Sequence, residues 1–408
     1  MVDFNLSPAQ QAIRDAAAQF AAQHLTTARA VYSDQLTPSA KFRATQPIYE
    51  KAVAAGLIKS QIPAAQGGTG GALIDAVLCV EELYAVDCSV SLTILATGLG
   101  LTPLILAGTE AQRKQFLAPF LGEGSPLASL VHSEPGGTAN FTERGGDGVG
   151  LQTTARRDGE TLVISGDKMW ATNCAGWDDR GAELQCVTCR LVEESRIAII
   201  LVSRGDIAAN DDSCYQVISH PSTVGHQAVS GPYVRFQGLR VPMGNMLIGY
   251  GVEIAEAAFT MSAVIVGAMS VGVMRRCFEL TLAFCRTERR GGKVPILERQ
   301  SVADLLISIK MRLDASRALT WRASCALGQT PDGAELAYEA KVFCSDNAVQ
   351  AVVEAMNAVG VSSYNNELGF GELMNDALCL PLFDGGNVGV RRRQIQRAFK
   401  YSTIKSNM

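Results

Sequence analysis

The sequence predicts an α+β protein in which a helical N-terminal domain, a small β domain and a helical C-terminal domain follow one another. Three observations predict it: helical periodicity in the first third, apolar–polar alternation from Leu127 to Val241, and long helical patterns after Pro242. At 408 residues with 47% hydrophobic residues, the chain can bury a substantial core. We place the domains at 1–125, 126–245 and 246–408.

The first domain begins with a clear helix signal. Ser7-Pro8-Ala9-Gln10 combines a capping serine, a proline at the first helical position and a glutamine three residues after the serine, which together form a capping box. Further helical patterns cover 40–56, 72–86, 89–107 and 110–121, with glycine-rich breaks such as 66–71 between them.

The middle domain shows the two-residue period of β-strands. Turn residues separate the alternating segments, and Arg157-Asp158-Gly159 is typical of a hairpin turn. The predicted strands are 127–131, 151–156, 161–165, 185–191, 196–202, 214–219 and 233–241.

The C-terminal domain returns to the helical period. The predicted helices are 251–286, 297–328, 333–359, 367–380 and 388–400. The uncharged run 257–274 approaches the length that spans a membrane. It is rich in Ala, Gly and Ser and follows Glu253 and Glu256, so a buried core helix is the better interpretation.

Composition excludes several classes of partner. A formal net charge of -4, from 36 basic and 40 acidic residues, creates no general field for nucleic acid or an anionic membrane. The 11 cysteines are scattered through apolar segments, which favours reduced thiols, and no secretory signal pattern is present, so we expect a cytoplasmic protein. Cys186 and Cys189 form a CxxC pair without a second pair or a nearby His, so we expect no metal site.

The stretch from Leu382 to Arg397 is the strongest candidate for chemistry. Asp384 lies between Phe383 and the pair Gly385-Gly386, just before an Arg-rich helical segment. Glycine leaves open backbone beside a carboxylate, so a flat cofactor or a small substrate could approach closely, as a catalytic base requires. The alternative is that Asp384 only caps the following helix, with Asn387 as a second capping candidate.

Three further segments carry polar groups in a suggestive order. Residues 130–140 run from a strand into a Ser-Glu-Pro-Gly-Gly turn that could hold a ring edge or a phosphate. Residues 165–173 place Trp170 beside Thr172 at a strand end, although Trp170 could simply cover the end of the β domain. Residues 286–304 place arginines before Gly-Gly, which suits a diphosphate, although exposed charge before a helix is the alternative.

Taken in order, these segments resemble the acyl-CoA dehydrogenase superfamily of FAD flavoproteins over essentially the whole chain. The Ser-Glu-Pro turn, the Gly-x-Lys-x-Trp strand, the Arg-to-Gln segment and the final acid-Gly segment follow one another as in that family. The resemblance implies a middle β-barrel, a C-terminal four-helix bundle, FAD as the cofactor, and a homo-oligomer, expected to be a homotetramer, with sites completed across subunits.

The resemblance also implies which residues contact FAD. Ser133 would lie near the pyrimidine edge of the isoalloxazine and Thr172 near its N5, while the segment from Arg290 to Gln300 would bind the diphosphate and adenosine. The full implied set is Leu130, Val131, His132, Ser133, Thr138, Ala139, Asn140, Trp170, Ala171, Thr172, Arg290, Arg299, Gln300, Glu354, Ala355, Met356, Asn357, Ala358, Phe383, Gly385, Gly386 and Asn387.

Departures from the family pattern point to a different substrate. Asp384 stands where the family carries Glu as its base, and an ångström of misplacement can cost about a hundredfold in rate. Ala139 and Asn140 stand where many relatives carry Ser and Asp beside the CoA chain, so CoA recognition is in doubt. These features resemble the branch of the superfamily that oxidises nitroalkanes.

That branch implies a catalytic set and a reaction. Asp384 would be the base, Arg391 its charged positioner, and Ser262 a hydrogen-bond partner of the carboxylate, although Ser262 could equally be a small residue that eases helix packing. The implied reaction converts neutral nitroalkanes to aldehydes or ketones, through carbanion addition to flavin N5, with release of nitrite and formation of H₂O₂ from O₂.

Three alternatives to this reaction stay open at this point. The first is an acyl-CoA dehydrogenase or oxidase with an Asp base. The second is a flavoenzyme that acts on a nitrogen-containing biosynthetic intermediate. The third is a flavin-binding or oligomer-forming protein without turnover.

Overall fold

The N-terminal part of the protein is helical, as predicted. The computed structural model describes residues 5–144 and 148–401. The capping box at Ser7 is confirmed, because its hydroxyl accepts from the Gln10 backbone and the Gln10 side chain accepts from the Ser7 backbone. The helices are α1 Pro8–Phe20, α2 Ala28–Tyr32, α3 Pro38–Ala44, α4 Gln46–Ala54, α5 Leu73–Tyr84, α6 Cys88–Ala107 and α7 Glu110–Leu117.

The middle part is one mixed sheet of seven strands. The strands are β1 Ala128–Val131, β2 Thr154–Asp158, β3 Thr161–Met169, β4 Leu184–Leu191, β5 Ile197–Ser203, β6 Tyr215–Ser219 and β7 Tyr233–Pro242, with the short helix α8 Arg204–Ala208 after β5. Their order is β1-β4-β2-β3-β7-β6, and β5 pairs with β4. β1 and β2 run parallel to β4, and the other pairs are antiparallel.

The sheet curls around its own core. Every strand contributes side chains to a single apolar cluster. β1, β4 and β5 are buried along almost their whole length, because their other face packs in a second apolar cluster with the N-terminal helices. Among the described strands, β5 and β6 each pair on one side only, so the curl is not closed by hydrogen bonds. The predicted hairpin is confirmed, because Asp158 pairs with Thr161 and Gly159 adopts a φ of 60° in the turn.

The C-terminal part is a helical bundle. Its helices are α9 Gly251–Thr287, α10 Gln300–Ala326, α11 Gly333–Val359, α12 Phe370–Cys379 and α13 Arg392–Tyr401. Helices α9 to α12 bury a common apolar core, to which α5 of the N-terminal part also contributes. The last predicted helix differs in detail, because a π-helical turn, Asn387–Arg391, precedes the regular helix.

Two helices are long and apolar enough to cross a membrane by length and composition. They are α6 and α9, and 61% and 72% of their most apolar windows are buried inside the protein. α9 packs against α5, α10, α11 and α12, which favours the predicted core helix for 257–274.

Apolar contacts cross the predicted domain boundaries. The boundaries near residues 125 and 245 fall in connections beside β1 and α9. However, one apolar cluster joins α6 to β1, β4 and β5. The division into three domains therefore stays a prediction about folding units, although the order of structural elements is as expected.

The contact between α6 and β1 generates a stability prediction. A Cβ on Gly100 would lie 2.3 Å from the Ser129 nitrogen, so Gly100→Ala forces helix and strand apart. We expect it to destabilise the protein by about 1–3 kcal/mol, although Ala is the better helix former. Gly122→Ala, which meets open space, is the matched control and should be nearly neutral. Urea unfolding of both variants measures this, and equal stability would contradict the close approach.

Candidate active site

Asp384 lies on a strained loop between two short helical turns. Its φ is 51°, and Gly385 and Gly386 follow with φ of 88° and 73°. Left-handed backbone is costly for a residue with a Cβ, and such residues concentrate at functional sites. The Ser262 hydroxyl, on α9, donates to Asp384 Oδ2 at 2.6 Å. The carboxylate is therefore held in one orientation by a neighbouring helix.

The capping alternative does not fit the geometry. The π-helical turn begins after Gly386, without a hydrogen bond from any side chain at that cap. Asn387 is buried, and its amide donates to Ser345 Oγ at 2.9 Å and Asp346 Oδ1 at 2.7 Å instead. Ser262, for which close packing was the alternative, uses its hydroxyl on Asp384. Asn387 is thus an internal anchor, and Asp384 is free for another role.

Arg391 is the largest fully buried side chain near this loop. Its Nη2 donates to the Phe259 carbonyl at 2.8 Å, and its guanidinium lies 5.2 Å from the Tyr338 ring centroid. Burial lowers the pKa of Arg391, while the Asp384 carboxylate opposes this shift. The two residues form no direct ion pair within the described chain, so Arg391 acts on Asp384 through the electrostatic field.

Phe259 connects this loop to the predicted flavin wall. It lies one helical turn before Ser262 on α9, and its ring meets the His132 ring edge-on at 5.2 Å. His132 is buried, and burial together with Lys168 lowers its pKa to about 3. Residues 130–133 and the Asp384 loop are therefore neighbours across α9.

A buried ion pair joins two segments of the wall. Lys168 Nζ lies 3.1 Å from Glu134 Oε1 and donates to the His132 carbonyl at 2.9 Å. Burial alone would raise the pKa of Glu134, but Lys168 and two backbone N–H groups lower it. The Met169 backbone also donates to the Ser133 carbonyl at 2.9 Å. This places Trp170 directly beside Ser133.

Trp170 is positioned for a flat ligand. Its φ is 67° and the residue is 52% exposed, so it does not fill the sheet core. The alternative that it covers the end of the β domain is compatible with this exposure. Ala171 beside it is buried and Thr172 is half-buried. An exposed indole on strained backbone, the hydroxyls of Ser133 and Thr172, and bare backbone at 385–386 are chemically suited to an isoalloxazine ring.

The C-terminal helix closes over the turn at 138–140. Arg393 on α13 donates to Asn140 Oδ1 at 2.7 Å and also to the Ala139 carbonyl. Asn140 is therefore engaged by this helix, at the position where many relatives carry Asp. Ala139 and Asn140 thus lie beside α13, and the contact of 138–140 with FAD stays a prediction.

The residues predicted to bind the FAD diphosphate and adenosine lie at the other end of α9. A Cβ on Gly360 would lie 2.6 Å from Arg290 Nη1, so the guanidinium rests against the end of α11. Arg290 has a φ of 49°, which is another strained position. Arg299 precedes α10 directly, and Gln300 donates to Asp304. These residues stand together, but far from Asp384.

The segment 354–358, predicted to contact FAD, is mostly buried. Glu354 is engaged by Arg312, whose Nη2 lies 3.0 Å from Glu354 Oε1, and Ala355 and Ala358 are buried in apolar clusters. Met356 is half-buried and Asn357 is exposed. Most of this segment therefore packs inward, because it forms the core-facing stripe of α11, and only Asn357 is well placed for a ligand.

Two residues at the Asp384 segment were not among the sequence candidates. Lys341 donates to Asn387 and Tyr338 lies against Arg391, and neither belongs to a motif. Lys341 had a signal, because it stands among apolar residues at helical spacing in 333–359. A lysine at a core-facing position of a helix indicates that its amino group has a buried polar partner.

The CxxC pair is structural. Cys186 and Cys189 are both buried on β4 and pack in different apolar clusters on opposite faces of the sheet. Three residues apart on a strand place two side chains on opposite sides, so they cannot act together on one metal or substrate.

Two family models match the chain. The model of the acyl-CoA dehydrogenase N-terminal domain matches residues 7–123, and that of the acyl-CoA dehydrogenase C-terminal domain matches 249–400. Together they cover most of the two helical parts described above.

Individual relatives are similar over almost the whole chain. A nitroalkane oxidase from Podospora anserina is 50% identical over 97% of this chain and 95% of its own length. The structure of a nitroalkane oxidase with an active-site Asp-to-Asn change, crystallised with 1-nitrooctane, has 45% identity and a TM-score of 0.95 over 98% of each chain. A structure addressing the roles of an Arg and an Asp in the flavoprotein nitroalkane oxidase has 44% identity and a TM-score of 0.95 over 98% of each chain.

Burial of His132 generates a pH prediction. Folded His132 stays neutral down to about pH 3, whereas an unfolded histidine binds a proton below about pH 6.5. Stability should therefore fall as pH falls from about 6.5 towards 3, by up to about 1.4 kcal/mol per pH unit from this residue. His132→Gln should flatten the slope, which urea unfolding at pH 7 and 5 measures. An unchanged slope would contradict a neutral His132 in the folded state.

Proposed function

The chain belongs to the acyl-CoA dehydrogenase superfamily, in its nitroalkane oxidase branch, and from this premise we propose that Asp384 removes the α-proton of neutral nitroalkanes. It is a flavin-dependent oxidase with FAD as cofactor. The proposed overall reaction consumes a nitroalkane, O₂ and water and yields an aldehyde or ketone, nitrite and H₂O₂. FAD, when bound, supplies the two-electron oxidation that no side chain of the protein can perform.

The hydrogen bond from Ser262 to Asp384 carries the proposal. It occupies Oδ2, while Oδ1 accepts no hydrogen bond from the described residues. One carboxylate oxygen is thus oriented and the other is available to take a proton, as general base catalysis requires. The active-site Asp-to-Asn change in the relative crystallised with 1-nitrooctane supports the same role for an Asp.

Arg391 provides the electrostatic setting. Arg391 places a buried cation near Asp384, and the Asp384 carboxylate opposes the lowering of the Arg391 pKa by burial. The bond to the Phe259 carbonyl and the contact with Tyr338 hold the guanidinium in place. The structure that addresses the roles of an Arg and an Asp in the reaction of the flavoprotein nitroalkane oxidase supports this pairing.

The wall opposite the loop would hold the flavin. Trp170 and Thr172 would line one side of the isoalloxazine, and Ser133 would face its polar edge. Gly386, where an added Cβ would meet its nearest atoms at 3.8 Å, leaves room beside Asp384 for a ring, whereas Val390 fills the corresponding space at Gly385. Proton removal at Asp384 would then occur next to the group that accepts the electrons.

The distance between the two groups of residues predicted to bind FAD supports an oligomer. From Ser262 to the end of α9 at Thr287 the helix rises by about 38 Å, at about 1.5 Å per residue. An FAD is shorter than this, so the arginines near residue 290 would serve the cofactor of a second subunit. Exposed Ile307, Met311 and Phe343 on α10 and α11 offer an apolar surface for such an assembly. We propose a homo-oligomer, expected to be a tetramer, located in the cytoplasm.

Replacing Asp384 tests the proposal most directly. Asp384→Asn should retain FAD but lose at least about 10²-fold in turnover of nitroethane, because the amide cannot accept the proton. A preformed nitronate should still be oxidised, since no proton remains to be removed. The measurement is release of nitrite, acetaldehyde and peroxide in air. Near wild-type turnover of neutral nitroethane would contradict the assignment, and flavin bleaching by acyl-CoA without oxygen would favour a dehydrogenase.

Replacing Arg391 tests the electrostatic role. Arg391→Lys should lower kcat/KM for nitroethane by about 10- to 100-fold, because an ammonium cannot reproduce the planar fork that donates to the Phe259 carbonyl over Tyr338. Arg397→Lys, exposed on the same helical segment, is the matched control and should leave kcat/KM unchanged. Equal values for both variants would remove Arg391 from the catalytic set.

A further inference from the structure

We infer that Lys341 is a positioning residue, which rests on the proposed function: its buried amino group ties together the two ends of the Asp384 loop and so sets where the catalytic carboxylate stands. Lys341 lies on α11 and has 0% of its surface exposed. Its Nζ donates to the Pro381 carbonyl at 3.1 Å and to Asn387 Oδ1 at 2.6 Å.

The two acceptors flank the loop. Pro381 and Asn387 are six residues apart in sequence, and Leu382 to Gly386 lie between them with Asp384 at the centre. A single nitrogen therefore closes the base of the loop, which we call the Lys341 clamp. Ser262 holds the Asp384 carboxylate from α9, while the clamp holds the backbone on either side from α11.

Asn387 is itself fixed, so the clamp is rigid. Its amide nitrogen donates to Ser345 Oγ and Asp346 Oδ1, and its amide oxygen accepts from Lys341. Ser345 in turn donates to the Lys341 carbonyl at 2.7 Å. Both ends of the amide are engaged, which leaves Asn387 one favourable orientation.

The loop backbone needs restraint in addition to the bond from Ser262 and the packing of Phe383. Asp384, Gly385 and Gly386 all have left-handed φ, and Leu382 and Val388 beside them are exposed. A short backbone bond from Gly386 to the Phe383 carbonyl is its internal support. Strained backbone persists only where surrounding contacts over-determine it. A released loop would relax, and an ångström of displacement can cost about 10²-fold in rate.

The hydrogen bonds of the Lys341 clamp do not depend on the positive charge of Lys341. Burial lowers the pKa of Lys341 to about 8, while Asp384 and Asp346 raise it and Arg391 lowers it further. Tyr338 on α11 and Ser262 on α9 complete the polar surroundings of this loop. A neutral amine keeps two N–H bonds for its two acceptors, so the clamp survives loss of the charge.

The test measures the oxidation of two substrates and the hydrogen exchange of the loop. Lys341→Met should lower kcat/KM for neutral nitroethane at least about tenfold, because Asp384 is displaced. Oxidation of preformed ethyl nitronate, which needs no base, should change less than about threefold, with FAD content unchanged. Hydrogen exchange of the segment 380–391 should be faster in the variant than in wild type.

Two further variants serve as a control and as a second test of the clamp. Lys310→Met, at an exposed position on α10, should change neither substrate nor loop exchange. Asn387→Ala removes one acceptor and leaves Lys341 in place. It should also lower kcat/KM for neutral nitroethane and speed hydrogen exchange at 380–391. This variant tests the inference if Lys341→Met does not fold. An equal loss for both substrates, or unchanged exchange at 380–391, overturns the inference. Absence of nitroalkane oxidation by wild type would instead overturn the proposed function, and loop exchange would still test the clamp.

Discussion

A carboxylate on a strained loop has to be held from more than one side, and this requirement organises the C-terminal half of the molecule. α9 supplies Ser262 to the Asp384 carboxylate and the Phe259 carbonyl to Arg391 from adjacent turns. α11 supplies Lys341 and Tyr338 from its own adjacent turns. Because both helices belong to the packed bundle, side-chain positions on them are more precise than those on a loop would be.

Buried charges recur at the two walls of the site. Lys168 with Glu134 joins the end of β3 to the turn after β1, and Lys341 with Asn387 closes the base of the Asp384 loop. Buried charged pairs contribute little net stability, since desolvation offsets their attraction. They are sensitive to geometry, however, because a misplaced segment leaves a charge without its partner. We regard both networks as devices that fix the position of irregular backbone.

α9 connects the two groups of residues predicted to bind FAD. Its early turns carry Ser262 and Phe259, and its end leads into the strained Arg290 at the far side of the bundle. α9 therefore carries Ser262, which orients Asp384, near its beginning and leads at its end into the other group of predicted FAD-binding residues.

Local patterns in the sequence determined the order of helical and β segments. Capping at Ser7, the hairpin at Asp158 and the bounds of α11 follow from short-range periodicity and turn chemistry, so sequence analysis could predict them. The catalytic candidates Asp384, Ser262 and Arg391 came from a resemblance of ordered motifs. Their residue types were visible in the chain, although no short-range pattern brings them together.

Only the tertiary structure decided which groups meet. Ser262 and Asp384 are 122 positions apart, and no sequence pattern specifies their hydrogen bond; the same holds for Lys341 and the carbonyl of Pro381. Asn387 has the sequence of a helix cap and the structure of a buried anchor, because α11 offers its amide better partners than the helix end does. Local propensity selects the elements of a fold, whereas long-range packing selects the partners of a polar side chain.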